Sequence, residues 1–289
     1  MQIIKDISAG GERPFYKSNH LTLEGVRVTE GESALKECTD IRCVKCLFEG
    51  KYPLWEVRGF EVRDCRFSAE ARSALWYSEN LKMKDTVIDA PKMFREMKNL
   101  ELTNVQINDA DEAFWHCEGI RIKDVTMNGG TYPFMSCKNI FVDGLETDSK
   151  YVFQYVSNAE IHHARITTKD ALWEAKNVTV YDSYVNSEYL AWYSDNVKFV
   201  RCHIGGEQVL CYAKNLVLED CTFDENAGLA FEYSDVRADI RGSVRSVKNP
   251  SSGLIVADSI GEVILDENIK QPANCKIEIR KAKDSAFGA

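Results

Sequence analysis

Residues 170–183 read DALWEAKNVTVYDS, and nearly the same phrase returns along the chain. Earlier come YPLWEV at 52–57, SALWYSEN at 73–80 and EAFWHCEG at 112–119; later comes YLAWYSDN at 189–196. Taking the residue that opens Asn-apolar-x-apolar as register zero, it falls at His20, Asp40, Gly59, Asn80, Asn99, Gly119, Asn139, Asn158, Asn177, Asn196 and Asn215. The steps are 19 to 21 residues, and eleven copies in one register mark a repeat protein.

Within each copy the apolar positions are fixed. One past zero run Leu21, Ile41, Phe60 and so on to Leu216, and three past zero is equally apolar. Six and eight past zero give pairs such as Cys65 and Phe67, or Val105 and Ile107. Five before zero is Leu or Phe in nearly every copy, with Ala191 the small exception. Alternation of this kind reads as short strands. Asn, Asp or Gly at zero and at five past it (Asp64, Asp85, Asp182) suits sharp corners, because these residues tolerate left-handed backbone. Apolar positions on every side of a coil with no helical stretch predict an all-β, right-handed, single-stranded parallel β-helix of about 12–14 coils, 19–20 residues each. A leucine-rich repeat, with helices on one side, is the alternative. The whole chain reads as one domain: 1–19 as an N-terminal cap, 20–223 as regular coils, and 224–289 as irregular coils with a C-terminal cap. Leu54, Leu75, Phe94, Phe114, Phe134, Phe153 and Leu172 should form one buried stack.

The phrases GERPFY, GESALKE, KYPLWE, ARSALWYSEN, DAPKMFRE and LAFEYSDVRADIRGSVRSVKNPSSG add a second argument. They resemble a bacterial family of uncharacterised proteins, a domain of unknown function, along nearly the whole chain. The resemblance implies a pectin-lyase-like β-helix, brings no established activity and supplies no catalytic residues.

Composition narrows the function. A net charge of −9 with no basic cluster argues against a nucleic-acid partner. No apolar run is long enough for a membrane span, and the opening residues lack a signal-peptide pattern. Eight of the ten cysteines occupy inward register positions: Cys43 three past zero, Cys46, Cys65, Cys202 and Cys221 six past, and Cys38, Cys117 and Cys137 two before. They read as small buried hydrophobes, with no metal site and no cofactor expected, and they point to a reducing, cytoplasmic setting. His162 and His163 read as corner residues.

The chemistry-bearing columns are two. All five tryptophans, Trp55, Trp76, Trp115, Trp173 and Trp192, lie four before zero, where other coils carry Lys36, Arg95 and Gln154. Such residues do not belong inside a coil, so the column is expected to face outward. Three before zero run Glu37, Glu56, Tyr77, Glu96, His116, Ser136, Tyr155, Glu174, Tyr193, Tyr212 and Glu232, also outward. Two adjacent outward positions require a corner or bulge between inward neighbours. The two ladders predict a binding module whose aromatic and acidic edge takes an oligosaccharide, through Trp55, Trp76, Tyr77, Arg95, Trp115, Trp173, Glu174, Trp192 and Tyr193. Two other readings stand beside it. Ring-on-ring packing alone would make the edge scaffold, and Trp and Tyr also suit a homo-oligomer interface. A carbohydrate-active enzyme would use Glu37, Glu56, Glu96 or His116 as its acid–base groups, since neighbouring rungs bring two carboxylates to glycosidase spacing. Against that, the polygalacturonase motifs Asn-Thr-Asp, Asp-Asp and Gly-His-Gly are missing, and RIK at 121–123 puts Ile122 at an ordinary core position.

Overall fold

The computed structural model describes residues 2–269 and 274–281. Its 23 strands pair in parallel throughout, and no helix occurs among the described residues, which removes the leucine-rich alternative. The chain is a parallel β-helix of about 14 turns. The main line of strands starts at Gln2–Lys5, passes through Asn19–Glu24 and Lys98–Ile107, and reaches Ser252–Ala257 and Lys276–Ile279. Leu81, Leu100, Ile120 and Ile140 are successive register partners, so the columns read from sequence are columns in space.

The corners form as their residue types dictate. Asn80, Asn99 and Asn139 have φ between 56° and 60°, and Gly119 has 72°. Asp85 and Asp124, five past zero, are left-handed as well. The doubled outward positions arise from something less visible in sequence. In the coils whose zero runs from His20 to Asn158, seven, five and three before zero are all left-handed, as in Lys92, Phe94 and Glu96, or Glu112, Phe114 and His116. Left-handed backbone costs an ordinary residue about 1–2 kcal/mol. Here most such residues donate their N–H to an adjacent turn, for example Phe94 to Ala74 at 3.2 Å and Glu96 to Trp115 at 2.8 Å. The alternation turns residue −5 inward, −4 sideways and −3 out.

The predicted stack is present. Leu54, Leu75, Phe94, Phe114, Phe134, Phe153 and Leu172 are all buried, and the four phenyl rings follow one another at 4.4–4.6 Å. Nine of the ten cysteines are buried free thiols, and Cys275 is half-buried.

At the N-terminal end, within the segment expected as a cap, Gln2–Lys5 and Ser8–Glu12 are strands in register with the next coil. Parallel pairing needs only a matching period, and this segment already has it. At the other end, Lys276–Ile279 pairs with Ser252–Ala257 and so extends the stack along the axis, rather than lying across the edge. Residues 270–273 and 282–289 of the expected C-terminal cap lie outside the described residues.

Candidate functional site

The tryptophan column is not the outward row that its polar members suggested. All five indoles are half-buried, while Gln154, Cys211 and Phe231 in the same column are buried. Trp55 stacks on Trp76 at 5.2 Å, and the Arg95 guanidinium is 4.3 Å from Trp76 on one side and 4.7 Å from Trp115 on the other. Lys36 covers Trp55 at 5.8 Å. The indole N–H groups of Trp55, Trp76, Trp115 and Trp192 donate to backbone carbonyls of the following coil, at 2.5, 2.7, 2.9 and 2.7 Å. Met135 and Gln154 interrupt the series before Trp173 and Trp192 stack at 5.5 Å. The physical reason for the correction is geometric. Rings repeating every 4.8 Å or so cover one another's faces, leaving their edges to solvent.

Glu112 was not legible as a member of this edge. It sits seven before zero, yet its two oxygens take Lys92 at 3.0 Å and Arg95 at 2.7 Å. Only the left-handed zigzag brings that position beside the column.

Three before zero the column is mixed: Glu37, Ser136, Tyr212 and Glu232 are half-buried, and the rest are exposed. Tyr77, Tyr155 and Tyr193 are 44%, 42% and 49% exposed, and Glu56, Glu96, His116 and Glu174 are also exposed. Tyr77 meets Trp55 and Trp76 edge-on, and His116 meets Trp115 in the same way. The carboxylate pair is not assembled at Glu37. That side chain turns to the preceding coil, accepting from the Tyr16 hydroxyl at 3.1 Å and pairing with Lys17 at 3.3 Å. Desolvation pushes its carboxyl upward, but Lys17 and Tyr16 outweigh this and hold it below its ordinary range. A general acid needs the opposite shift. Glu56 and Glu96 remain two coils apart on either side of Tyr77.

The concave surface lies next to this edge, at the Asn corner. A groove of about 850 Å³ follows register zero and two past it from Asn80 to Thr179, and a second of about 450 Å³ continues it to Thr39. Its floor is an amide ladder. Asn99 donates to Asn80 at 3.0 Å, Asn158 to Asn139 at 3.2 Å, Asn177 to Asn158 at 3.1 Å and Asn196 to Asn177 at 2.9 Å. Its wall alternates in charge, through Lys82, Glu101, Arg121, Phe141 and Glu160. Gly119 interrupts the ladder at mid-groove. Asn139, lacking an amide partner there, donates to Glu118 instead at 3.1 Å, and a Cβ on Gly119 would stand 2.9 Å from Asn99 Oδ1. Sequence reading took these asparagines for corners only. The signal that distinguishes them is their regularity, since a corner alone accepts Asp, Gly or His equally well.

A family model described as "Protein of unknown function (DUF3737)" matches residues 2–278. The chain belongs to that family. No curated protein matches it. Among solved structures, the family member is similar to the periplasmic alginate epimerase AlgG: 10% identity, 96% of this chain and 72% of that chain covered, TM-score 0.30. A double mutant of AlgG gives 9%, 95%, 75% and 0.34. The A-module of the Azotobacter vinelandii mannuronan C-5 epimerase AlgE6 gives 12%, 97%, 81% and 0.23. Likenesses at these values speak to neither substrate nor mechanism, so the family's site must be argued from its own residues.

Proposed function

We propose that this β-helix is a binding module for an extended, hydroxyl-rich chain, with glycan the ligand class it suits best. One observation carries the reading: a continuous groove floored by an amide ladder and walled by alternating charge. Asn158 and Asn177 each spend one N–H and one oxygen lone pair on ladder neighbours and keep a second of each for a ligand. Lys82, Glu101 and Arg121 on successive rungs offer hydroxyls a donor, an acceptor and a donor. Phe141, held by Arg121 at 5.7 Å, adds an apolar surface beside them.

This moves the binding surface from the tryptophan faces, which are spent on one another and on Arg95, to the neighbouring corner. Tyr77, Glu96, Glu174 and Tyr193 then act as its flank, three residues before the corner of each coil. Calorimetry with neutral oligosaccharides of increasing length tests the proposal, since affinity should rise until the groove is filled. The deciding variant is Gly119→Asn. The other rungs show that Asn adopts this backbone, so the fold should persist while the mid-groove notch closes and binding falls. Binding unchanged by both Gly119→Asn and Arg121→Ala would refute the groove.

The exposed tyrosines also favour self-association through the edge. Light scattering on Tyr77→Ser and Tyr193→Ser separates that reading, because a dimer held there would dissociate.

A further inference from the structure

Away from the edge and the groove, one set of polar side chains is linked from end to end by ring contacts and hydrogen bonds. Arg165, Tyr184, His203 and Thr222 are successive register partners in four coils. The Arg165 guanidinium lies 4.6 Å over the Tyr184 ring, which stacks on His203 at 5.5 Å. Asp224 reaches back along the axis. Its Oδ1 is 2.5 Å from His203 Nε2, and its Oδ2 accepts from the Tyr184 hydroxyl at 3.1 Å, across two coils. Gly205 makes that reach feasible, because a Cβ there would stand 2.5 Å from Asp224 Oδ2. The other imidazole nitrogen, Nδ1, is 2.6 Å from Thr222 Oγ1.

The proton positions follow from these partners. An ionised carboxylate only accepts, so Nε2 of a neutral His203 carries the hydrogen and Nδ1 turns its lone pair to the Thr222 hydroxyl. Hydroxyl, imidazole and carboxylate in that order are the arrangement that activates an alcohol as a nucleophile. Rung-to-rung pairing would suffice for a stabilising ladder. Holding one carboxylate on both Tyr184 and His203, over a glycine that leaves it room, fixes the imidazole's orientation as well.

We propose that Thr222, His203 and Asp224 form an acyl-transfer site that hydrolyses esters. Thr222 Oγ1 attacks the ester carbonyl carbon while its proton passes to His203 Nδ1. The bond to the alcohol oxygen breaks, and His203 returns the proton to the departing alcohol. Water then attacks the acyl-threonine through the same base, releasing a carboxylic acid and restoring the hydroxyl. Thr222 and His203 are the catalytic residues; Asp224, Tyr184 and Gly205 position them. Backbone amides here are engaged between coils, Thr222 N to Cys202 O at 2.9 Å, so a side chain must meet the developing oxyanion. Arg241 is the register partner of Thr222, and its Nε is held at 2.6 Å by Asp220 of Thr222's own coil. The His203 side chain is 43% exposed, which suits an ester carried on a larger molecule.

The probe is p-nitrophenyl acetate, followed by release of nitrophenol and by acid-quench mass spectrometry of the intact chain. One acetyl group should be found on Thr222, with hydrolysis retained in Thr222→Ser. Thr222→Ala and His203→Gln should lose the rate above background by about 10²-fold or more. Gly205→Ala, whose Cβ would stand 2.5 Å from Asp224 Oδ2 and 3.0 Å from Asn186 Oδ1, should lower kcat with KM unchanged. The proposal is overturned if Thr222→Ala matches the wild type, if acetyl groups sit on lysines only, or if the intact chain gives no turnover above buffer. Groove binding is untouched by these variants, so the two readings fail separately.

Discussion

Arg95 and Trp76 meet face to face, with the guanidinium carbon 4.3 Å from the ring centroid, and Trp115 closes the other side of the same cation. A planar cation between two planar rings is a structural fastening, because it replaces hydration with two stacked contacts and the Glu112 ion pair. Arg95 Nε is buried without a hydrogen-bond partner, so the stacking must also offset that loss. Arg95→Ala should therefore lower stability by about 2 kcal/mol or more. Arg95→Lys should recover only part of it, since an ammonium cannot stack. Urea denaturation measures both, and an unchanged midpoint in Arg95→Ala would remove the scaffold account of this edge.

The phenylalanine stack allows a sharper contrast. Phe114 lies between two rings at 4.5 and 4.6 Å with no solvent contact, so Phe114→Ala should cost about 3–5 kcal/mol. Tyr155→Ser, on the exposed column of a nearby coil, should stay within about 0.5 kcal/mol. Equal effects would mean that the columns had been assigned to the wrong sides of the coil.

The asparagine ladder separates backbone from side chain. Asn158 has φ 57° and takes part in two amide hydrogen bonds. Asn158→Ala should lose both the left-handed tolerance and the amide pairing, together about 2 kcal/mol. Asn158→Gly should restore the backbone share and lose only the pairing. Thermal melts of the two variants, compared with wild type, give the division directly. An alanine variant no worse than glycine would contradict the left-handed corner.

Buried thiols make stability depend on alkaline pH. Burial pushes Cys211 up to about 12 and Cys38 up to about 11. An unfolded chain ionises these thiols near pH 8.5 while the folded one keeps them protonated. Their contribution is thus complete below the unfolded value and is lost as pH rises toward the folded values. Stability should fall from about pH 8.5 upward through pH 11, and Cys211→Ala should flatten part of that slope. In the native protein at pH 8, a thiol reagent should modify Cys275 first, because it alone is not fully buried.

The period, the inward columns, the glycine and asparagine corners and the buried phenylalanine row were all legible in the sequence. A coil stacked on itself turns each of these into a repeated residue type, and eleven copies make even a weak preference plain. Tertiary structure decided what the side chains do between columns. Nothing in the text of one coil shows that positions −7, −5 and −3 are all left-handed, because Lys, Phe and Glu carry no such preference and the hydrogen bonds that sustain them come from adjacent turns. That zigzag lays Trp76 flat against Arg95, brings Glu112 to the edge, and turns Glu37 back to Lys17 instead of toward Glu56. The link from Asp224 to Tyr184 crosses 40 residues of chain and needs the space over Gly205. A repeat states which residues share a column; the depth and tilt of each side chain depend on what the next coil places above it.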